Sequence, residues 1–428
     1  MTTEDQDQLN TRTRQLDAYR WALLREKHNL LGSLLRTLRD TAADLALGIG
    51  ARARAGKASN EGAERILVLH GSPKLLAQRR KNGLIKALRQ RGHQVVEDAI
   101  EPLASAVRHK RLYRPALRVP LRYYAHAAYA EWLARHHNPG LVLNERHGSL
   151  VIPFLRLSLN HQGRHLAQLS HATSVDPSRR LSMTDYDYYL LFGQSSLQAL
   201  QRRDLRFGST RAILAGSYLV DQRYAMPAPQ GELRVLVLGV GPDKEARPGY
   251  ERTYELICEW AARHPQVPVT FKAHPRSRMT FWKAAAASLG NVHLAAPHAS
   301  LAEALAQSSV VLNIMSNAAL EASLANRAVV YVNASGEADV LEQARFFGAC
   351  VSDLDSLEER LDWLPAHYPQ ALSGARAFAE YHLAHGLQGQ DKTAEVIDCL
   401  VQRQALPATE LHETLGAATR SLPTRNTP

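Results

Sequence analysis

Two spacings of apolar residues succeed one another along the chain. Leu16, Tyr19, Leu23, Leu30, Leu34, Leu38 and Leu45 recur at intervals of three, four or seven, the period of one helical face. Arg and Lys fill much of the other face. This predicts a basic helical arm over residues 1–57, whose end, Gly48–Lys57, is rich in Gly, Ala and Arg and reads as a linker. Such an arm either packs on the body of the protein or lies on anionic lipid. The spacing leaves both open.

The pattern then changes to short apolar runs. Arg65-Ile-Leu-Val-Leu-His70, ended by Gly71-Ser72-Pro73, predicts a buried parallel strand and a turn. Leu84–Arg91 reads as a helix closed by Gly92, and His93–Glu97 as the next strand. Leu141–Leu143, Leu166–Leu169, Tyr188–Phe192 and Ala212–Leu214 continue the series, with helices at Tyr123–Arg135 and Leu197–Arg203. A proline-marked hinge, Met226-Pro-Ala-Pro-Gln230, precedes a second series. Its strands are Arg234–Leu238, Val269–Lys272, Val292–Leu294, Val310–Asn313 and Ala328–Val332, with crossover helices at Glu251–Arg263 and Leu301–Gln307. The alternation predicts an α/β protein of two doubly wound, Rossmann-like domains facing across a cleft, 58–228 and 229–406. Residues 407–428 are polar and rich in Thr and Pro and read as a disordered tail.

Ligands of such sheets bind at the carboxyl ends of the strands. There, Val269–Lys272 runs into Ala273-His274-Pro275-Arg276. The proline ends the strand and holds the imidazole at its mouth, and His274 with Arg276 can neutralise a phosphate. Val310–Asn313 leads to Ser316-Asn317, good N-cap residues, and a helix of small residues whose start suits a phosphate or carboxylate. Glu321, one turn in, is placed to accept hydrogen bonds from a ribose diol, or simply complements the helix dipole.

Residues 234–332 resemble the nucleotide-binding domain of the B-type glycosyltransferase fold. The strand–His-Pro element with its later polar-capped helix is similar to the CDP-glycerol glycerophosphotransferases and to bacterial capsule and sialic-acid transferases. The resemblance implies donor-phosphate contacts for His274, Ser316 and Asn317. Many of those families carry two adjacent hydroxyl residues where this chain has Ser316-Asn317. Glu321 resembles the Glu that holds the donor ribose in other transferases of the fold. In the first domain, Leu84–Val96 resembles the helix–Gly-His–strand segment found after the first strand of these enzymes. Leu169-Ser-His-Ala-Thr-Ser-Val-Asp176 looks like the glycerophosphotransferase turn whose His lies near the acceptor hydroxyl.

That resemblance, with the strand-end positions, makes His171 and Glu145 the candidate catalytic bases, an imidazole suiting both the reach and the pKa required. His147, His161 and His165 crowd the same stretch, yet no helical His pair or Cys ligand supports a metal. Asp185-Tyr186-Asp187 imitates a metal-binding acidic triplet but precedes its strand, so it reads as a solvated strand start. The three cysteines, Cys258, Cys350 and Cys399, form no disulfide framework and read as buried thiols.

Charge sharpens the picture. The formal net charge of +11 divides unevenly: residues 1–230 hold 35 basic and 19 acidic side chains, residues 231–428 hold 17 and 22. The donor-binding half is therefore acidic overall and must rely on local groups. Arg108–Arg122 carries six Arg or Lys and no acid among apolar and aromatic residues. It suits an anionic membrane face or an acidic glycan, and without a recognised motif it does not argue for nucleic acid.

Together these readings predict a metal-independent and cofactor-free transferase. It would move a sugar or glycerol-phosphate unit from a nucleotide-activated donor to a hydroxyl of a glycan or lipid-linked, cell-surface acceptor. No secretory signal or membrane span is evident, which predicts a cytoplasmic protein, with peripheral attachment to the inner membrane face left open. A nucleotide-sugar epimerase of the same fold, or a non-catalytic membrane-surface adaptor, are the alternatives.

Overall fold

Short apolar runs become two parallel sheets in the computed structural model, which describes residues 3–58, 64–173, 175, 178–296, 298–406 and 411–417. The first sheet contains β1 (Arg65–His70), β2 (Val95–Ala99), β3 (Pro139–Asn144), β4 (His165–Leu169), β5 (Tyr188–Leu191), β6 (Ser209–Leu214) and a late strand, β12 (Leu411–Gly416). Its order is β12-β6-β5-β4-β3-β1-β2. The second contains β7 (Val235–Leu238), β8 (Val269–Lys272), β9 (Val292–Leu294), β10 (Val310–Asn313) and β11 (Ala328–Tyr331), in the order β11-β10-β7-β8-β9. Every pairing is parallel except β12 with β6. β7, β10 and β11 are buried at every position, as expected of parallel strands covered on both faces.

The chain forms two compact units. The first runs to Leu191, takes Ser196–Ala215 and regains the chain from Asp391; the second is Phe192–Ser195 with Gly216–Gln390. The expected hinge at 226–230 is therefore not where the chain changes unit. It is tied inside the second unit, where Asn326 Nδ2 donates to the Met226 carbonyl at 2.7 Å and Arg327 to that of Pro227 at 2.8 Å. The segment read as a disordered tail is ordered over 411–416, where β12 pairs with β6 from Leu411↔Ile213 to Gly416↔Ser209. Residues 407–410 and 418–428 lie outside the described residues.

The arm is two helices, α1 (Thr3–Arg25) and α2 (Leu30–Arg54). Leu9, Leu16 and Tyr19 of α1 join the core of the first unit. Leu30, Leu34, Leu38 and Leu45 of α2 are exposed. The single expected face splits because the turn at 26–29 resets the helical phase, Asn29 Oδ1 accepting the Gly32 N–H at 2.8 Å to open a new helix. Gly48 is no linker. A Cβ there would lie 1.9 Å from the Leu121 carbonyl oxygen, so Gly48 is what lets α2 lie close against helix Leu121–His136.

Half of the basic run is spent inside the first unit. Arg111 pairs with Glu101 at 2.8 Å, Arg114 donates to the Ala55 carbonyl at 3.3 Å, and Arg122 pairs with Asp17. Arg108, Lys110 and Arg118 remain exposed. Asp185 and Asp187 are not a solvated strand start: both are bound by Arg156, and Asp185 also by Arg12. The cysteines are free and half-buried. Among the described residues, no helix is long and apolar enough to cross a membrane.

Candidate active site

In the second sheet the chain leaves β7 toward β8 on one side and returns beside it as β10 on the other. The gap between the carboxyl ends of β7 and β10 is thus a topological switch point. Three loops meet at this edge: Gly239–Gly241 after β7, Ala273–Ser277 after β8, and Ile314–Asn317 after β10. The Gly239 N–H donates to the Lys272 carbonyl at 2.9 Å, and a Cβ on Gly239 would lie 2.9 Å from the His274 nitrogen. Only glycine permits this approach. Glu245 holds the His274 loop from below, accepting from the Ser277 hydroxyl and from the Arg278 N–H at 3.0 Å.

His274 Nδ1 accepts the Arg276 N–H at 3.1 Å, which puts the proton of the neutral ring on Nε2 and makes that atom a donor. The Arg276 guanidinium is exposed beside Gly241, where a Cβ would be 3.7 Å from it. Lys244 reaches across the switch point, its Nζ 3.6 Å from Met315 Sδ. The loop after β10 is braced by Asn313, which accepts the Ser316 N–H at 3.0 Å and donates to Gln343 at 2.6 Å. Ser316 Oγ accepts from the Ala318 N–H at 3.3 Å, whereas Asn317 makes no capping bond with its side chain. The helix they open, Ala318–Leu324, has seven residues. Any anion here is met by side chains more than by a helix dipole. Glu321 is half-buried one turn in, and its charge, after burial, helps push the Tyr224 hydroxyl up to about 12.

The first sheet repeats the arrangement at its own switch point, between β1 and β3. Glu145, one residue past β3, accepts the Gly71 N–H at 2.9 Å with one oxygen and the Lys81 ammonium with the other. Lys81 Nζ also lies 3.3 Å from His70 Nδ1, and His70 Nε2 is 2.9 Å from Glu97. Burial alone would raise the Glu145 carboxyl. Hydrogen bonding from His70, the Lys81 charge and the Gly71 N–H outweigh it and hold the group down to about 2. Burial in turn lowers Lys81, against the pull of Glu145. A carboxylate so fully engaged is a weak base.

His171 follows β4 on the same edge. The residue keeps an exposed side, while its ring packs inward, 5.5 Å from that of His147. Burial of the ring, with Arg80 and Lys81, lowers its pKa against the opposing charge of Glu145. His147 is lowered to about 3, chiefly by burial. Arg146 adds a cation beside them, donating to the Gly71 carbonyl at 3.1 Å. Ser174 and Asp176, which complete the turn read after His171, lie outside the described residues. His161 and His165 sit apart, at the other end of these strands, near Asp5 and Asp187 respectively. Among the described residues, no three metal-capable side chains gather.

The structure therefore brings Glu145 and His171 to one edge, and His274, Arg276, Ser316 and Asn317 to another, with Glu321 one turn beyond. Sequence reasoning missed His70, Lys81, Lys244 and the Gly239–Gly241 loop. The last carried a signal: two glycines directly after an apolar strand. Two hollows lie elsewhere in the first unit. One, of about 50 Å³, is lined by residues such as Leu9, Leu117 and Phe154. The other, of about 390 Å³, lies among Arg156, His165 and Asp187 at the opposite edge of the sheet.

No family model and no curated protein matches the sequence. Solved structures do match. A Listeria monocytogenes protein assigned as a UDP-N-acetylglucosamine 2-epimerase superposes with a TM-score of 0.53 at 11% identity, over 80% of this chain and 98% of that one. The fold is that of the B-type glycosyltransferases. MnaA of S. aureus, in a structure with UDP, superposes at 0.50 and 11% identity, over 79% of this chain and 97% of its own. At such identity the likeness is one of architecture: two Rossmann-like units, here preceded by a helical segment.

Proposed function

We propose that the chain is a transferase that takes a sugar, or a glycerol-phosphate unit, from a nucleotide-activated donor and passes it to a hydroxyl of a glycan acceptor. The observation that carries this reading is the meeting of Lys244, His274, Arg276 and Ser316 around Gly239 and Gly241 at one switch point. Two cations, an Nε2–H donor and a hydroxyl around bare backbone suit a diphosphate. These groups would stabilise the charge that builds on the departing phosphate. His171, exposed and neutral at pH 7, is the better candidate to accept the acceptor proton. Glu145 would act as a positioning residue that locks Gly71, Lys81 and His70.

Arg146, and Arg80, whose charge acts on His171, favour an acidic acceptor, in keeping with a cell-surface polysaccharide. A second reading, epimerisation of a UDP-sugar, draws on the fold neighbours, one assigned as such an epimerase and one solved with UDP. Calorimetry with UDP-N-acetylglucosamine, UDP-glucose, CDP-glycerol and a CMP-sugar tests the common premise. Binding lost in Arg276→Gln and His274→Ala is expected, and binding of none would leave the adaptor reading. Incubating the bound donor alone then separates the two chemistries: an epimerised sugar without acceptor favours the second.

A further inference from the structure

Among the described residues, eight large hydrophobic side chains are exposed, and seven of them lie on α2. Leu30, Leu31, Leu34, Leu35, Leu38, Leu45 and Ile49 are between 38% and 67% exposed. Soluble surfaces carry scattered leucines without consequence, but seven on one helix form a contiguous stripe. From Leu30 to Ile49 it runs about 28 Å at 1.5 Å per residue. The inner face of α2, with Ser33, Gly48 and Ala51 buried, is already packed on helix Leu121–His136, so the stripe faces away from the unit.

Cations outnumber acids round the stripe. Lys27, Arg36, Arg39, Arg52 and Arg54 are exposed beside it. Arg108 and Lys110 are exposed near its far end, where a Cβ on Gly50 would lie 3.7 Å from Val107. The acids of α2 are neutralised: Asp40 by Arg39 at 2.7 Å, and Asp44 by Arg20 of α1 at 2.7 Å. We infer that α2 lies flat on an anionic lipid bilayer, its leucines in the acyl boundary and its arginines among the headgroups. Leucine on one side of a helix and a surplus of Arg and Lys along its margins are what such a surface selects. A second copy of the chain would bring the same surplus of arginines to the contact, and so fits less well.

The test is co-sedimentation of the full chain with phosphatidylcholine vesicles, with and without phosphatidylglycerol. Wild type should bind the anionic vesicles and release at about 0.5 M salt, where charges are screened beyond about 4 Å. Leu35→Ser/Leu38→Ser should weaken partitioning by roughly tenfold or more, since each leucine forfeits a buried side chain. Arg36→Gln/Arg52→Gln should lose the preference for phosphatidylglycerol. All four residues are exposed, so folding and nucleotide binding in solution serve as controls that should not change. Failure of wild type to bind, or equal binding by the leucine pair, overturns the inference. So does a dimer in solution that the leucine pair dissociates while vesicle binding is unaffected.

Discussion

The Lys81–Glu145 pair offers the sharpest test of the first-unit site. Replacing Lys81 by Met leaves the Glu145 carboxylate buried without its cation. Glu145 sits near 4.5 ordinarily and at about 2 here. At 1.36 kcal/mol per unit, that depression stabilises the folded unit by about 3 kcal/mol at neutral pH. The folded value lies below the unfolded one, so this contribution is complete above about pH 5 and is lost as pH falls toward 2. In Lys81→Met much of that depression goes, because only the hydrogen bonds from His70 and the Gly71 N–H are left to oppose burial. The variant should therefore lose about 3–5 kcal/mol at pH 7, and the deficit should narrow by at least half near pH 4 as Glu145 takes up a proton. Native-state hydrogen exchange at β1 and β3, read at both pH values, reports on this unit alone. The double variant Lys81→Met/Glu145→Gln carries no buried charge and should recover most of the loss. A deficit below about 1 kcal/mol at pH 7, or one of equal size at both pH values, would refute the account.

Three further outcomes are expected. Gly239→Ala places a methyl 2.9 Å from the His274 nitrogen and from Phe271, so donor affinity should fall at least tenfold, while Gly290→Ala, which faces open space, changes nothing; calorimetry decides. His171 is lowered by burial and nearby cations, so it stays a free base further into acid, and the acid limb of kcat/KM should lie below pH 6.5. Should His171→Gln keep that limb, His171 is not the base. Gly48→Ala must push α2 off the Leu121 carbonyl and should cost about 1–3 kcal/mol in urea unfolding; a neutral effect would mean the two helices can separate freely.

The strands were legible because parallel strands buried on both faces read as unbroken apolar runs, as Val310–Asn313 and Ala328–Val332 do. His274 and Ser316 were legible because each follows such a run. His70 was not, since it closes its own run and looks like part of it. Lys81 follows Arg79 and Arg80, and nothing local separates the one ammonium that is buried from its solvated neighbours. Its partner is 64 residues away. The exposed leucines of α2 were assigned to the same face as the buried Leu16 because a turn of four residues changes helical phase without changing the spacing of apolar positions. The strand at 411–416 was hidden for a related reason: an edge strand with polar alternation resembles a tail until its partner is known.

The return of the chain from Asp391 to finish the first unit sets an order of assembly. On the ribosome, β6 emerges with its outer edge unpaired, and β12 follows almost 200 residues later. Residues 216–390 are meanwhile contiguous and free to fold. The unit that begins first in the chain is thus completed last, and a ribosome stalled anywhere in the second unit leaves a nascent sheet with an open edge, a form that chaperones or neighbouring chains can engage.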